Sequence, residues 1–101
     1  PENWIESSCT AMFAYGILSA LKHRIVDDRL YNAAVDKAYN GLYAHSTEKA
    51  KNGLTCTNVC TGTCIGDKDY YLKRGVQKGR PFGLGMFVQF GMLYEYENGL
   101  R

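Results

Sequence analysis

The sequence lacks a concentration of charge of one sign. Twelve Lys and Arg face ten Asp and Glu, for a net charge of +2. The cations are scattered with no run of five, so the electrostatic footprint of a nucleic-acid binder is missing. It also lacks an apolar run long enough to span a bilayer and a recognisable secretory leader. Pro1-Glu2-Asn3-Trp4 opens the chain without Met, which reads as a fragment or a processed product. The missing leader therefore says nothing about compartment. Low-complexity stretches and a repeat of fixed period are absent as well. So are a nucleophile elbow, a phosphate loop and a dinucleotide fingerprint, because Gly83-Leu84-Gly85 has no third glycine and no preceding strand. Cysteine is sparse: Cys9, Cys56, Cys60 and Cys64. A disulfide scaffold is not needed where helical segments carry enough apolar residues to pack.

What is present is an ordinary globular composition. Of 101 residues, 46% are hydrophobic and 22% charged, enough for one small domain with a thin core. Eight Tyr are the one excess. Tyr suits the wall of a sugar site and equally the edge of a core.

Periodicity predicts three helices. From about Ser8 to His23, the residues Ile5, Cys9, Met12, Phe13, Ile17, Ala20 and Leu21 recur at spacings of three and four. Ser7 or Ser8 is the expected N-cap, with Glu6 at the positive end of the dipole. Small residues (Ala11, Ala14, Gly16, Ser19) line the rest, as an inner helix covered on several sides requires. From Asp28 to Ala44, a stripe of Leu30, Ala34, Ala38 and Leu42 is widened by Val35, Tyr39 and Tyr43, with Asp27 as N-cap. The short link between the two predicts an antiparallel hairpin. The third helix starts after Pro81 and stops at Asn98-Gly99, with Met86, Phe90, Leu93 and Tyr94 on one face. Glycines 83, 85 and 91 would let it pack closely. Residues 46–80 read as non-helical. Asn52-Gly53 marks a turn, Leu54 to Val59 one short strand, and Asp69-Tyr70-Tyr71-Leu72 a second.

The chemistry-bearing residues have plain readings beside functional ones. Cys56, Cys60 and Cys64 are spaced C-x3-C-x3-C, but zinc sites use a second pair of ligands that this sequence does not supply. Small packing residues are the better reading, and no metal or cofactor is expected. A glycosidase holds two carboxylates about 5 to 10 Å apart. Glu6 and Asp67 are the best placed, at a helix start and in a Gly-rich loop, yet capping is the plainer role for both. Lys73, Arg74, Lys78 and Arg80 precede the last helix, whose N-terminus favours anions. They form either a site for a sugar carboxylate or an ordinary solvated loop.

The stretch Trp4-Ile5-Glu6-Ser7-Ser8-Cys9-Thr10-Ala11-Met12-Phe13-Ala14-Tyr15 resembles a helix start in the unsaturated glucuronyl and rhamnogalacturonyl hydrolases, glycoside hydrolase families 88 and 105. Further matches follow in order: Asp36-Lys37-Ala38-Tyr39-Asn40-Gly41-Leu42, Val59-Cys60-Thr61-Gly62-Thr63, Gly66-Asp67-Lys68-Asp69-Tyr70-Tyr71-Leu72 and Phe82-Gly83-Leu84-Gly85-Met86-Phe87. The likeness runs over essentially the whole chain and corresponds to roughly the last third of the family's sequence. It implies a mainly α fold in which antiparallel helical hairpins form part of an (α/α)6 toroid, with a short β-hairpin-like loop region. Residues 1–101 would be one segment, the C-terminal portion of that domain. The first and third helices would be inner and the second outer.

The resemblance further implies that the parent hydrates the double bond of a 4,5-unsaturated uronic sugar with an Asp as general acid/base. That Asp would lie before these residues, so no catalytic residue is assigned. Glu6, Ser7 and Thr10, together with Lys73, Arg74 and Arg80, would be substrate-binding wall residues. The partners would be an oligosaccharide with a terminal unsaturated uronic acid, and either the rest of the parent chain or a second copy. Neither nucleic acid nor membrane is expected, and such enzymes tend to work in the bacterial cytoplasm or periplasm. One departure stands out: Val76-Gln77-Lys78-Gly79-Arg80-Pro81 lacks the Asn-Asp pair that family members often carry before this turn. The alternative is a non-catalytic helical domain that binds carbohydrate or a partner, and behind it a Cys-based metal module.

Overall fold

The computed structural model describes residues 2–99. Helix α1 spans Ser7–Lys22 and α2 spans Asp28–His45. Strands β1 (Thr47–Ala50), β2 (Gly53–Cys56) and β3 (Val59–Cys60) follow, then the short helix α3 (Lys68–Leu72) and strand β4 (Val76–Gln77). Helix α4 spans Pro81–Glu97.

The N-cap of α1 is Glu6 rather than a serine, because both serines are spent elsewhere. The Ser7 hydroxyl donates to the Thr57 carbonyl at 2.6 Å, and the Ser8 hydroxyl donates to Glu6 Oε1 at 2.7 Å. Glu6 has the reach to accept from the first-turn amide of Cys9, at 2.7 Å. At the other end, Arg24 takes a left-handed φ of 55°. This lets the Arg24 amide return to the Leu21 carbonyl and the Ile25 amide to that of Ala20, which closes the helix as a Schellman turn. Asp27 then caps α2 as expected, accepting from the Arg29 amide at 2.9 Å.

The relative direction of the helices follows from what joins their ends. The carbonyl of Asn58 accepts from the Ser7 amide at 3.0 Å, and its side-chain amide donates to the His45 carbonyl at 3.0 Å. The start of α1 therefore meets the end of α2, and the two are antiparallel. An ion pair of 2.9 Å between Lys22 and Glu97 ties the end of α1 to the end of α4. At the opposite pole, Val59 lies against Gly83 near the start of α4, and the amide of Cys60 donates to Glu6. Helices α1 and α4 are thus parallel.

The core lies between these three helices. Ala11, Ala14 and Leu18 of α1, Val35 and Leu42 of α2, and Phe90 of α4 are buried together. Tyr39 stacks on Tyr94 with ring centroids 3.9 Å apart, and Phe90 meets Tyr39 edge-on. Burial and the Asp36 carboxylate, which accepts the Tyr94 hydroxyl at 2.7 Å, push the Tyr94 phenol up to about 12.

Two faces differ from expectation. In α1 only Ala11 and Ala14 of the small-residue stripe are buried and Gly16 is exposed, while Cys9, Met12 and Phe13 of the predicted apolar face, with Ile5 just before the helix, are also exposed, Phe13 to 70%. A helix flanked by two others is approached most closely where side chains are short, so Ala11 and Ala14 take the interior. In α2 the buried stripe is turned toward Val35, Ala38, Tyr39 and Leu42, which leaves Leu30 and Ala34 in solvent. The α4 face of Met86, Phe90, Leu93 and Tyr94 packs as predicted.

The middle is also corrected. The Asn52-Gly53 turn joins β1 to β2, paired antiparallel from Thr47 opposite Cys56 to Ala50 opposite Gly53. The expected strand from Leu54 to Val59 is cut in two, because Asn58 adopts a left-handed φ of 59°. Beyond it, β3 pairs with β4 instead. The expected strand at Asp69–Leu72 is the helix α3, whose cap Asp67 accepts from the Tyr70 amide at 2.8 Å. The local cap outcompetes the β-propensity of the adjacent tyrosines.

Glycine has a close-packing role at position 83 and none at position 85. A Cβ on Gly83 would sit 2.6 Å from one Val59 methyl, whereas a Cβ on Gly85 would meet nothing within 4 Å. Gly83→Ala is expected to destabilise the chain by about 1–3 kcal/mol through overpacking. Gly85→Ala is expected to stabilise it by about 0.5–1 kcal/mol by removing helix-glycine entropy. Urea denaturation of the two variants reads both; equal shifts would refute the close approach of α4 to β3.

Candidate functional site

At the pole where α1 and α4 begin, the chain builds its most elaborate polar region. Glu6 is its hinge. Its Oε1 accepts from the Cys60 amide at 2.9 Å and from Ser8, and its Oε2 from the Cys9 amide. Burial alone raises the Glu6 carboxyl, but the amides of Cys60 and Cys9 and the Ser8 hydroxyl outweigh it and hold the group below the usual carboxylate range. The carboxylate is therefore ionised and fully engaged in fastening β3 to α1. Thr10 donates its hydroxyl to the Glu6 carbonyl at 2.7 Å. Ser7 is buried.

From β3 the chain enters a loop at 61–67, held by two phenols. The Cys64 amide donates to Tyr70 Oη and the Gly66 amide to Tyr71 Oη, each at 3.0 Å. The two rings meet edge to face at 5.5 Å. A side chain at Gly66 would collide with the Tyr70 ring, so the loop can fold down on it only with glycine there. The tip, Ile65, is left 99% exposed. The Cys64 amide, then Thr63 and the charge of Arg74, lower the Tyr70 phenol below its ordinary value against the smaller opposing effect of burial.

Arg74 closes this region from the other side. Its guanidinium donates to Thr61 Oγ1 at 3.1 Å and to the Gly62 carbonyl, and it stacks 5.1 Å from the Tyr70 ring. Its Nε is buried and makes no hydrogen bond among the described residues. Beside the loop, Glu2, Asn3, Lys68, Tyr71 and Leu72 line a cleft of about 480 Å³, with Glu2 and Lys68 paired.

The cations adjacent in sequence are not gathered in space. Lys73 ends α3 in solvent. Lys78 is paired with Glu48 of β1 at 2.5 Å. Arg80 caps α4 and lies 5.6 Å from the Phe82 ring. Of the predicted wall residues, Glu6, Ser7, Thr10 and Arg74 belong to the α1–loop pole. Lys73 and Arg80 flank it. Asp67 is a helix cap. The cysteines are free thiols; Cys56 is buried, Cys60 half-buried, and Cys9 and Cys64 exposed. The packing role expected of the C-x3-C-x3-C series thus applies fully to Cys56 alone. Sequence reasoning passed over Tyr70 and Tyr71 as loop anchors. The signal was the Tyr pair directly after Gly66-Asp67, a helix cap that brings both hydroxyls back over the preceding loop.

The architecture defines a class: parallel helices joined through an antiparallel third, with loops elaborated at one pole, a helical-hairpin scaffold. The profile of Glycosyl Hydrolase Family 88 matches residues 1–98, and the chain belongs to that family. Solved structures agree. A Salmonella enterica protein described as a possible member of glycoside hydrolase family 105 is 30% identical over 98% of this chain, with a TM-score of 0.82. A Klebsiella pneumoniae protein described in the same way is 30% identical over 95% of the chain, with a TM-score of 0.76. A family 105 glycoside hydrolase from C. acetobutylicum is 25% identical over 97%, with a TM-score of 0.78. The chain spans only 25%, 24% and 29% of those three proteins, respectively, less than the third expected from sequence.

Glu6 also sets an acid limit. Its folded pKa lies below the unfolded one, so its stabilisation is present above the unfolded pKa and is lost as pH falls through the folded value. Thermal stability should decline from about pH 5 downward, and Glu6→Gln should flatten that decline while lowering stability at neutral pH. Identical acid profiles for the two proteins would remove Glu6 from this role.

Proposed function

We propose that this chain forms part of the substrate wall of a glycoside hydrolase that releases 4,5-unsaturated uronic sugars by hydrating their double bond. Family membership and the ordered order of matching segments support the reading. The observation that carries it is the α1–loop pole, where a Tyr-anchored loop, a half-buried arginine and a cleft lined by Glu2, Asn3, Lys68, Tyr71 and Leu72 lie side by side. Aromatic faces, hydroxyls and a cation are the groups that a uronic sugar requires.

In this reading Arg74 and Arg80 attract the sugar carboxylate, with Lys73 at the margin. Glu6, Ser7 and Thr10 hold the floor on which the loop stands. Their hydrogen bonds are already committed to backbone partners, so they act mainly by positioning. The general acid/base is an Asp supplied by another part of the parent protein. It protonates the double bond as water adds, the resulting hemiketal opens, and the glycosidic bond is lost.

The test is an assay on an unsaturated uronyl disaccharide, following loss of the ultraviolet absorbance of the double bond. Activity is expected in the full-length parent and not in the 101-residue chain. Within the parent, Arg80→Ala should raise KM about tenfold with kcat little changed, the size of one charge-assisted hydrogen bond. An unchanged KM would sink that role. Absence of activity in the parent would favour a carbohydrate-binding domain without catalysis.

A further inference from the structure

Residues 61–75 form a unit closed on itself. At its base the Thr61 amide donates to the Gly75 carbonyl at 2.9 Å, continuing the pairing of β3 with β4. Three side chains from its second half bind its first. Arg74 holds the near limb by Thr61 Oγ1 and the Gly62 carbonyl. Tyr70 and Tyr71 hold the far limb by the amides of Cys64 and Gly66. The Arg74 guanidinium lies over the Tyr70 ring, and Gly66 is the residue that lets the loop descend onto that ring. A surface loop of this size whose ends meet, and which its own side chains hold together, is an Ω loop, a form that often carries function.

None of this serves the core. Helix α3 has five residues and buries none of them. So short a helix does not hold itself in water, and α3 exists through its Asp67 cap and its bonds to the loop. Two phenols and a guanidinium are thus committed to the shape of a loop that adds nothing to the packing of α1, α2 and α4. Their bonds lie wholly within residues 61–75, so they do not depend on what the rest of the parent packs nearby.

We propose that Tyr70 is a positioning residue for the proposed reaction: by pinning the Cys64 amide it fixes the 61–67 loop in the form that the sugar meets, without touching the sugar itself. This rests on the reading of the α1–loop pole as substrate wall. Tyr70 is the more central of the two phenols, because its ring also lies under Gly66 and carries the Arg74 guanidinium. A loop released from it has to be ordered each time substrate binds. That cost falls on affinity and not on the chemical step.

The test uses the full-length parent. Tyr70→Phe keeps the ring and removes the acceptor. Hydrogen exchange should quicken at residues 63–66 and stay unchanged in α1, α2 and α4. KM for the unsaturated uronyl disaccharide should rise about three- to tenfold, the worth of one neutral hydrogen bond, with kcat and melting temperature little changed. Gly66→Ala, which pushes the loop off the Tyr70 ring, should raise KM in the same way. An active parent whose KM is unmoved by Tyr70→Phe overturns the inference, because the loop then does not face the sugar. A raised KM with unchanged exchange overturns it as well, since Tyr70 then touches the sugar directly. Faster exchange throughout the protein does so too, because Tyr70 is then a general stabiliser. A parent with no activity on the disaccharide refutes the proposed function itself, and the inference falls with it.

Discussion

One carboxylate holds the polar pole together. Glu6 caps α1 through the Cys9 amide and reaches across to the Cys60 amide of β3. Because β3 also bears Val59, which lies in the space left by Gly83 of α4, this one side chain fixes the starts of two helices and the root of the 61–67 loop. A neutral side chain would make fewer and weaker bonds there, since hydrogen bonds to an ionised acceptor are about twice as strong. Asn58 completes the joint, and its left-handed backbone allows it to serve the start of α1 and the end of α2 at once.

The other pole is simpler. There the Schellman turn after α1 and the Lys22–Glu97 pair only close the bundle. The short strands, α3 and the 61–67 loop are collected where α1 and α4 begin. Loops carried on a rigid scaffold can present side chains without disturbing the core. The phenols of Tyr70 and Tyr71 make the 61–67 loop part of that scaffold by satisfying its amides.

Helix existence was legible because amphipathic spacing, Asp27 and Pro81 are local signals. Which face of α1 would be buried was not. Bulky residues at Met12 and Phe13 look like core from sequence, but close packing on two sides selects Ala11 and Ala14. The same limit hid the split strand, since the left-handed turn at Asn58 is set by bonds to residues 7 and 45. It also hid the dispersal of the cations, which depends on partners as distant as Glu48 and Thr61.

By itself, then, the sequence determined the family, the three long helices, the Asp27 cap of α2 and the Asn52-Gly53 turn, all of which rest on residue order and nearest neighbours. Tertiary structure decided the buried faces, the conversion of the Asp69–Leu72 segment to helix, and the joining of Glu6 to β3. The reason is that these depend on which groups lose water together, and that is a property of packed elements rather than of any one of them.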